Sequence, residues 1–277
     1  MKLSLVVSIE DTAFDAVPVR DGWREGMRMA AELGYDGVEL AVRDPGATDA
    51  NAVARSLRDA RLQVPAIGTG QAFLADGLSL SHPDEGERRR AIERMEAHIH
   101  FAAQFGAAVI VGLLRGRISG ASAATHHRLE QSLDAILPLA EREKVPVLIE
   151  PINRYETDLL STVDEVVSLA DRVGSPVLAV LADTFHMNIE EVSIEAALRS
   201  AGARLRHIHA ADSNRWAPGW GHLDFPSIIK TLRGIGYRGF LSAEILPRPD
   251  ARAAAHQFIE YLRPLLSEAV HPKGGYA

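Results

Sequence analysis

The chain has 277 residues, 47% of them hydrophobic, which is enough for one substantial core and within the size range of a single large α/β domain spanning residues 1–277. Thirty Lys and Arg against 37 Asp and Glu leave a net charge of -7, so no global cationic field attracts phosphate backbones and nucleic acid is not an expected partner. The absence of Cys excludes disulfides, thiolate nucleophiles, iron-sulfur clusters and Cys-ligated zinc; any metal must be held by oxygen and imidazole.

In chain order, the first apolar run, Leu3 to Ile9, meets Glu10 and Asp11 without a small-residue cleavage site, and it reads as a buried strand rather than a signal peptide. No window approaches the roughly 18 to 20 apolar residues of a membrane span, so a cytoplasmic protein without a membrane partner is expected. Further strands are predicted at Gly37–Leu40, Gln63–Gly68, Ala108–Leu113, Val145–Glu150, Leu178–Asp183, Leu205–Ala210 and Gly239–Ile245. Helical patterns lie between and after them: Trp23–Leu33, Asn51–Ala60, Glu85–Phe105, Ala123–Arg142, Val163–Arg172, Ile194–Ala201, Phe225–Ile235 and Ala251–Leu266. Ser161 or Thr162 is placed to cap the helix that begins with Val163, and Gly34, Gly106 and Gly236 stand where helices should stop. Eight βα units in about 250 residues predict a (β/α)8 TIM barrel. An open doubly wound sheet is disfavoured, because Glu10-Asp11-Thr12 replaces the glycine-rich turn of a dinucleotide site and Gly68-Thr69-Gly70 is a lone Gly-x-Gly. The segment 271–277, with Pro272, Gly274 and Gly275, is expected to be a flexible tail.

In such a barrel the reacting side chains come from the C-terminal ends of strands. Four consecutive ends carry polar residues that a core does not tolerate: Glu150, Asp183, His209 and Glu244, separated by 33, 26 and 35 residues, one βα unit each. Three carboxylates converging on one mouth would repel one another unless some were protonated or a cation lay between them. Three carboxylates and one imidazole suit a fairly hard divalent ion of octahedral preference, Mn²⁺ in the first place, with Co²⁺ or Mg²⁺ as alternatives and zinc less natural. Just beyond the same ends, Glu156, His186 and Arg215 lie on segments expected to be loops covering the mouth, and His207 reads as a packed or supporting histidine rather than a ligand.

The runs Ile149 to Glu156, Asp183-Thr184-Phe185-His186-Met187-Asn188 and His207 through Arg215, with Pro218-Gly219-Trp220-Gly221, resemble the xylose-isomerase-like TIM-barrel superfamily of sugar isomerases and epimerases. Within it they are most similar to the D-tagatose 3-epimerase and D-allulose 3-epimerase group. The resemblance implies Glu150, Asp183, His209 and Glu244 as metal ligands, Glu150 and Glu244 also as the acid/base pair on opposite faces of the sugar, and Glu156, His186 and Arg215 as substrate contacts. It implies a ketose or keto-sugar substrate epimerised at C3, next to the carbonyl, through a metal-stabilised cis-enediolate, and a homo-dimer or homo-tetramer. The sequence departs from the group at Val6 to Thr12, which lacks the pocket-shaping aromatics, and at Gly112 to Arg117, where arginines replace a tryptophan wall; Arg115 and Arg117 are either solvated or face an acidic or phosphorylated substrate. Three alternatives are an aldose-ketose or hydroxypyruvate-type isomerase on the same residues, a sugar-binding barrel that keeps the metal without turnover, and an endonuclease IV-like enzyme, which the acidic charge and the ligand count disfavour.

Overall fold

A computed structural model describes residues 1–267; the expected flexible tail, 271–277, lies outside the described residues. Eight strands run β1 (Lys2–Ser8), β2 (Gly37–Ala41), β3 (Ala66–Gly68), β4 (Ala108–Val111), β5 (Val147–Ile149), β6 (Leu178–Asp183), β7 (Leu205–His209) and β8 (Phe240–Ala243). Every neighbour pair is parallel and β1 pairs with β8, which closes the sheet into the predicted TIM barrel. All eight predicted strands are present, with shorter β3 and β5. Their first residues follow Pro65 and Pro146, which have no N–H to give to a ladder.

The helices that wrap the barrel follow their local chemistry. Thr162 and Glu165 form a reciprocal capping box at the start of the helix Val163–Val173. Gly34, Gly106 and Gly236, at φ of 82°, 63° and 76°, take the left-handed conformation that ends a helix before the next strand. Two short helices follow strands where the sequence suggested only loop: Gly70–Leu74 after β3 and Thr184–Glu190 after β6. The second is a correction that bears on the site, because it puts His186 on a helix whose first turn is capped by Asp183 itself.

Strand alternation divides the apolar residues into two cores. One face of each strand packs against the helices, as with Val109, Val111, Val147, Ile149 and Val180. The alternate residues of β3 to β6, namely Ala66, Ala108, Ile110, Leu148, Ala179 and Leu181, form a separate cluster inside the barrel. The remaining strands supply polar interior residues, Ser4 from β1, Glu39 from β2, His207 and His209 from β7 and Ser242 from β8, all buried. Half of the barrel interior is thus oil and the other half hydrogen-bonding groups, and both halves end at the same mouth.

Candidate metal centre and active site

Glu150 and Glu244 stand one residue beyond β5 and β8, Asp183 ends β6 and His209 ends β7. Ligand atoms of these four residues all lie within 4.8 Å of one another. His209 Nδ1 is 3.2 Å from Glu150 Oε1 and 3.6 Å from Glu244 Oε2. Gly112 makes room for this arrangement, since a Cβ there would sit 2.8 Å from Glu150 Oε2.

The electrostatics of the cluster show strain that a cation would relieve. Burial pushes Glu150 above the ordinary carboxylate range although His209 opposes the shift, and burial raises Asp183 much further. Burial acts against ionised Glu244 too, but His209 and Arg215 outweigh it and hold that carboxyl low. His209 is driven well above its usual value: desolvation lowers it, and the surrounding Glu39 and Glu244 carboxylates more than compensate. Glu150 Oε1, Asp183 Oδ2 and His209 Nδ1 are buried without a hydrogen-bond partner. Ligand atoms gathered this closely, three of them without a hydrogen-bond partner, fit a divalent cation held by three carboxylate oxygens and one imidazole nitrogen.

The three proposed substrate contacts gather around the same space. Asn153 Nδ2 donates to His186 Nδ1 at 2.7 Å and to Glu156 Oε1 at 3.1 Å. With Nδ1 accepting, the His186 proton sits on Nε2, the atom 3.7 Å from Asp183 Oδ2 and 4.0 Å from Glu150 Oε1. Burial, with Arg215 adding to it, keeps this imidazole neutral. Arg215 donates from Nη1 to Glu156 Oε1 at 2.9 Å and from Nη2 to Glu244 Oε2 at 3.0 Å, and its guanidinium lies between the rings of Phe14 and Phe185, 5.4 and 5.0 Å from their centroids. Glu156, His186 and Arg215, with Phe14, line a cavity of about 50 Å³ against the cluster; Phe14, Leu74, Glu156 and Arg215 also line a wider outer cavity of about 670 Å³. Another cavity, of about 640 Å³, meets His207 but none of the seven candidate residues.

Two site residues escape a reading confined to strand ends. Glu39, inside β2, has both oxygens near His209 Nε2, at 3.1 and 3.2 Å, and one of them 2.7 Å from His207 Nε2; a carboxylate in the run Val38-Glu39-Leu40 was the available signal. Phe14 supplies an aromatic wall two residues past the segment Val6 to Thr12. Neither alternative for Arg115 holds. It is fully buried and donates to the carbonyls of Leu159, Gly112 and Leu160, so it faces neither solvent nor substrate. Arg117 is exposed and donates to the Glu156 carbonyl. His207 is buried on Glu39 as a supporting residue.

A family model described as xylose isomerase-like TIM barrel matches residues 27–265. The L-ribulose 3-epimerase of Mesorhizobium japonicum is 31% identical over 242 residues, covering 86% of this chain and 80% of its own length. The ketose 3-epimerase of Arthrobacter globiformis is 29% identical over 230 residues, 82% of this chain and 77% of its own. In fold, the D-psicose 3-epimerase of Clostridium cellulolyticum H10, solved with D-tagatose, superposes with a TM-score of 0.82 over 96% of this chain and 99% of that one, at 23% identity.

Proposed function

The chain belongs to the xylose isomerase-like TIM-barrel family, in which its relatives include sugar epimerases, and on that premise we propose that it is a divalent-metal-dependent epimerase of a ketose or keto-sugar at C3, next to the carbonyl. The observation that carries this reading is the presence of two carboxylates, Glu150 and Glu244, in one four-residue cluster at the barrel mouth. Epimerisation removes a proton from one face of a carbon and returns one to the other, so it needs two groups that exchange roles across the substrate.

Glu150 and Glu244 both belong to the cluster that would hold the cation, so both stand at the reacting carbon as carboxylates able to accept and return a proton. One takes the proton from the carbon beside the carbonyl and the other delivers one from the opposite face; the reverse reaction exchanges the roles. His186 Nε2–H and the Arg215 guanidinium orient and polarise the carbonyl oxygen, where fixed donors stabilise the charge that develops. Glu156, held by Asn153 and Arg215, anchors a distal hydroxyl. Phe14 and Phe185 flank Arg215 and limit water at the reacting carbon. Glu150, Asp183, His209 and Glu244 would hold the cation, Mn²⁺ with Co²⁺ or Mg²⁺ as alternatives, which would supply Lewis-acid stabilisation of the charge developing on the substrate.

The test is a panel of ketoses and keto-sugar derivatives in D₂O with Mn²⁺-loaded protein. Deuterium should enter the carbon beside the carbonyl as the epimer forms, and chelator should abolish exchange. Aldose formation instead would mark an isomerase, and stoichiometric metal without exchange on any substrate would mark a binding barrel. Light scattering tests the accompanying expectation of a homo-dimer or homo-tetramer, which a 30.1 kDa particle would overturn.

A further inference from the structure

The polar half of the barrel interior contains a carboxylate that the proposed chemistry does not use. Glu39 is 2% exposed in the middle of β2, and desolvation there works against its charge. On β3 to β6, beginning with the adjacent strand, positions of the same inward phase are filled by Ala66, Ala108, Leu148 and Ala179. A carboxylate persists in such a place only where its oxygens are fully used. Here they are: Oε2 lies 2.7 Å from His207 Nε2, and Oε1 and Oε2 lie 3.1 and 3.2 Å from His209 Nε2.

We propose that Glu39 is a positioning residue for the metal centre: it accepts the Nε2–H of His209, and so fixes the ring with Nδ1 turned towards Glu150, Asp183 and Glu244. The inference rests on the metal-dependent reading above. An imidazole offers one nitrogen as a ligand only when the other carries the proton, and the acceptor of that proton decides which is which. Both ends of the ring are accounted for, since Nδ1 is the partnerless atom in the cluster and Nε2 is the one on Glu39. His207 has the complementary task. Two residues before His209 on the same face of β7, it donates to Glu39 Oε2 and stands edge-on to the His209 ring, at 5.5 Å and 84°, so that Glu39 cannot swing away without losing a second bond. A side chain that merely filled space would not need a charge, and the isosteric amide separates the two possibilities. A glutamine keeps the volume but has one oxygen for two imidazole donors and turns its NH₂ towards one of them.

Glu39→Gln should therefore bind Mn²⁺ about 10- to 100-fold more weakly by calorimetry, the usual cost of losing such a partner. Its kcat should recover towards wild type at saturating Mn²⁺, so that the defect lies in the metal requirement. Unchanged Mn²⁺ affinity in a folded Glu39→Gln protein that loads one ion in the wild type would overturn this proposal and leave the epimerase reading intact. Failure of the wild type to bind any ion would overturn both. A second ion per chain, lost in Glu39→Gln, would also overturn it, because Glu39, His207 and His209 would then be ligands of their own site. If the variant does not fold, ¹⁵N NMR of the Mg²⁺-loaded wild type decides: a slowly exchanging proton on His209 Nε2 supports the assignment, and an unprotonated Nε2 refutes it.

Discussion

Arg115→Met tests whether the loop that carries Asn153 and Glu156 is held from inside the protein. Arg115 is fully buried and donates from Nε to Leu159 O at 2.6 Å, from Nη1 to Gly112 O at 2.8 Å and from Nη2 to Leu160 O at 3.1 Å, tying the segment after β4 to the end of the loop after β5. Methionine keeps much of the aliphatic volume and removes all three donors. Each buried acceptor left unpaired costs about 1–3 kcal/mol, or about 3–9 kcal/mol for three. Against this, the desolvation of the guanidinium, severe enough to pull its pKa down to about 10, is relieved, which returns several kcal/mol. The net loss should be about 2–4 kcal/mol, and at about 2–4 °C per kcal/mol for a chain approaching this size the melting temperature should fall by roughly 5–10 °C. Calorimetric unfolding of the Mn²⁺-loaded protein reads this directly. One ion per chain should still bind, with an affinity that shifts because Arg115 acts electrostatically on Glu150 and bonds Gly112 beside that carboxylate, while KM should rise as Glu156 loses its fixed position. A melting temperature within 1 °C of wild type would refute the reasoning, and a selective loss of affinity for anionic substrates alone would return Arg115 to the substrate pocket.

Asp183→Asn should weaken Mn²⁺ binding by at least tenfold in a direct titration, because it takes a charge from a carboxylate that has one oxygen on Phe185 N–H and the other unpartnered. Arg215→Ala and His186→Ala should retain one ion per chain by metal analysis and lose about 10²-fold or more in kcat, since both are assigned to the substrate oxygen; normal rates would discard those roles. The metal-free protein should lose stability as pH rises above about 7 in thermal melts. In that range the lowered His98, His186 and His207 are neutral in both states, whereas raised His209 keeps a proton in the native state that the unfolded chain has released, so stability falls until its native pKa is passed. Ser242→Ala, which removes a buried hydroxyl with no partner, should be neutral or stabilise by about 0.5–1 kcal/mol in denaturant unfolding, and a loss above about 1 kcal/mol would show that the hydroxyl is bonded.

The barrel was legible because eight alternations of strand and helix carry their own period and stop signals, and the strand ends were legible because Glu150, Asp183, His209 and Glu244 interrupt apolar runs where a core would not accept them. What escaped depended on tertiary partners. The helix Thr184–Glu190 is seven residues long, too short to establish a helical period, so His186 read as a loop residue. Arg115, in Leu113-Leu114-Arg115-Gly116-Arg117, has the local context of a solvated turn; its burial comes from two carbonyls more than 40 positions away. Glu39 is invisible to a rule that inspects only strand ends, and Phe14 reaches the mouth through the path of its loop.

The placement of these missed residues follows from how a closed barrel must solve its burial problem. Side chains that face inward have no water to turn to, so every polar group there must find a partner within the barrel. Four ligand candidates at the mouth would leave His209 Nε2 without an acceptor one layer down, and any acceptor placed there is itself buried and must satisfy its own second oxygen. Glu39 meets the first need and His207 the second, which accounts for two histidines in register on β7 where one would serve as ligand. Glu39 and His207 are thus what an inward-facing His209 requires below the mouth, whereas the hydroxyls of Ser4 and Ser242, which share that half of the interior, have no partner and are not explained by it.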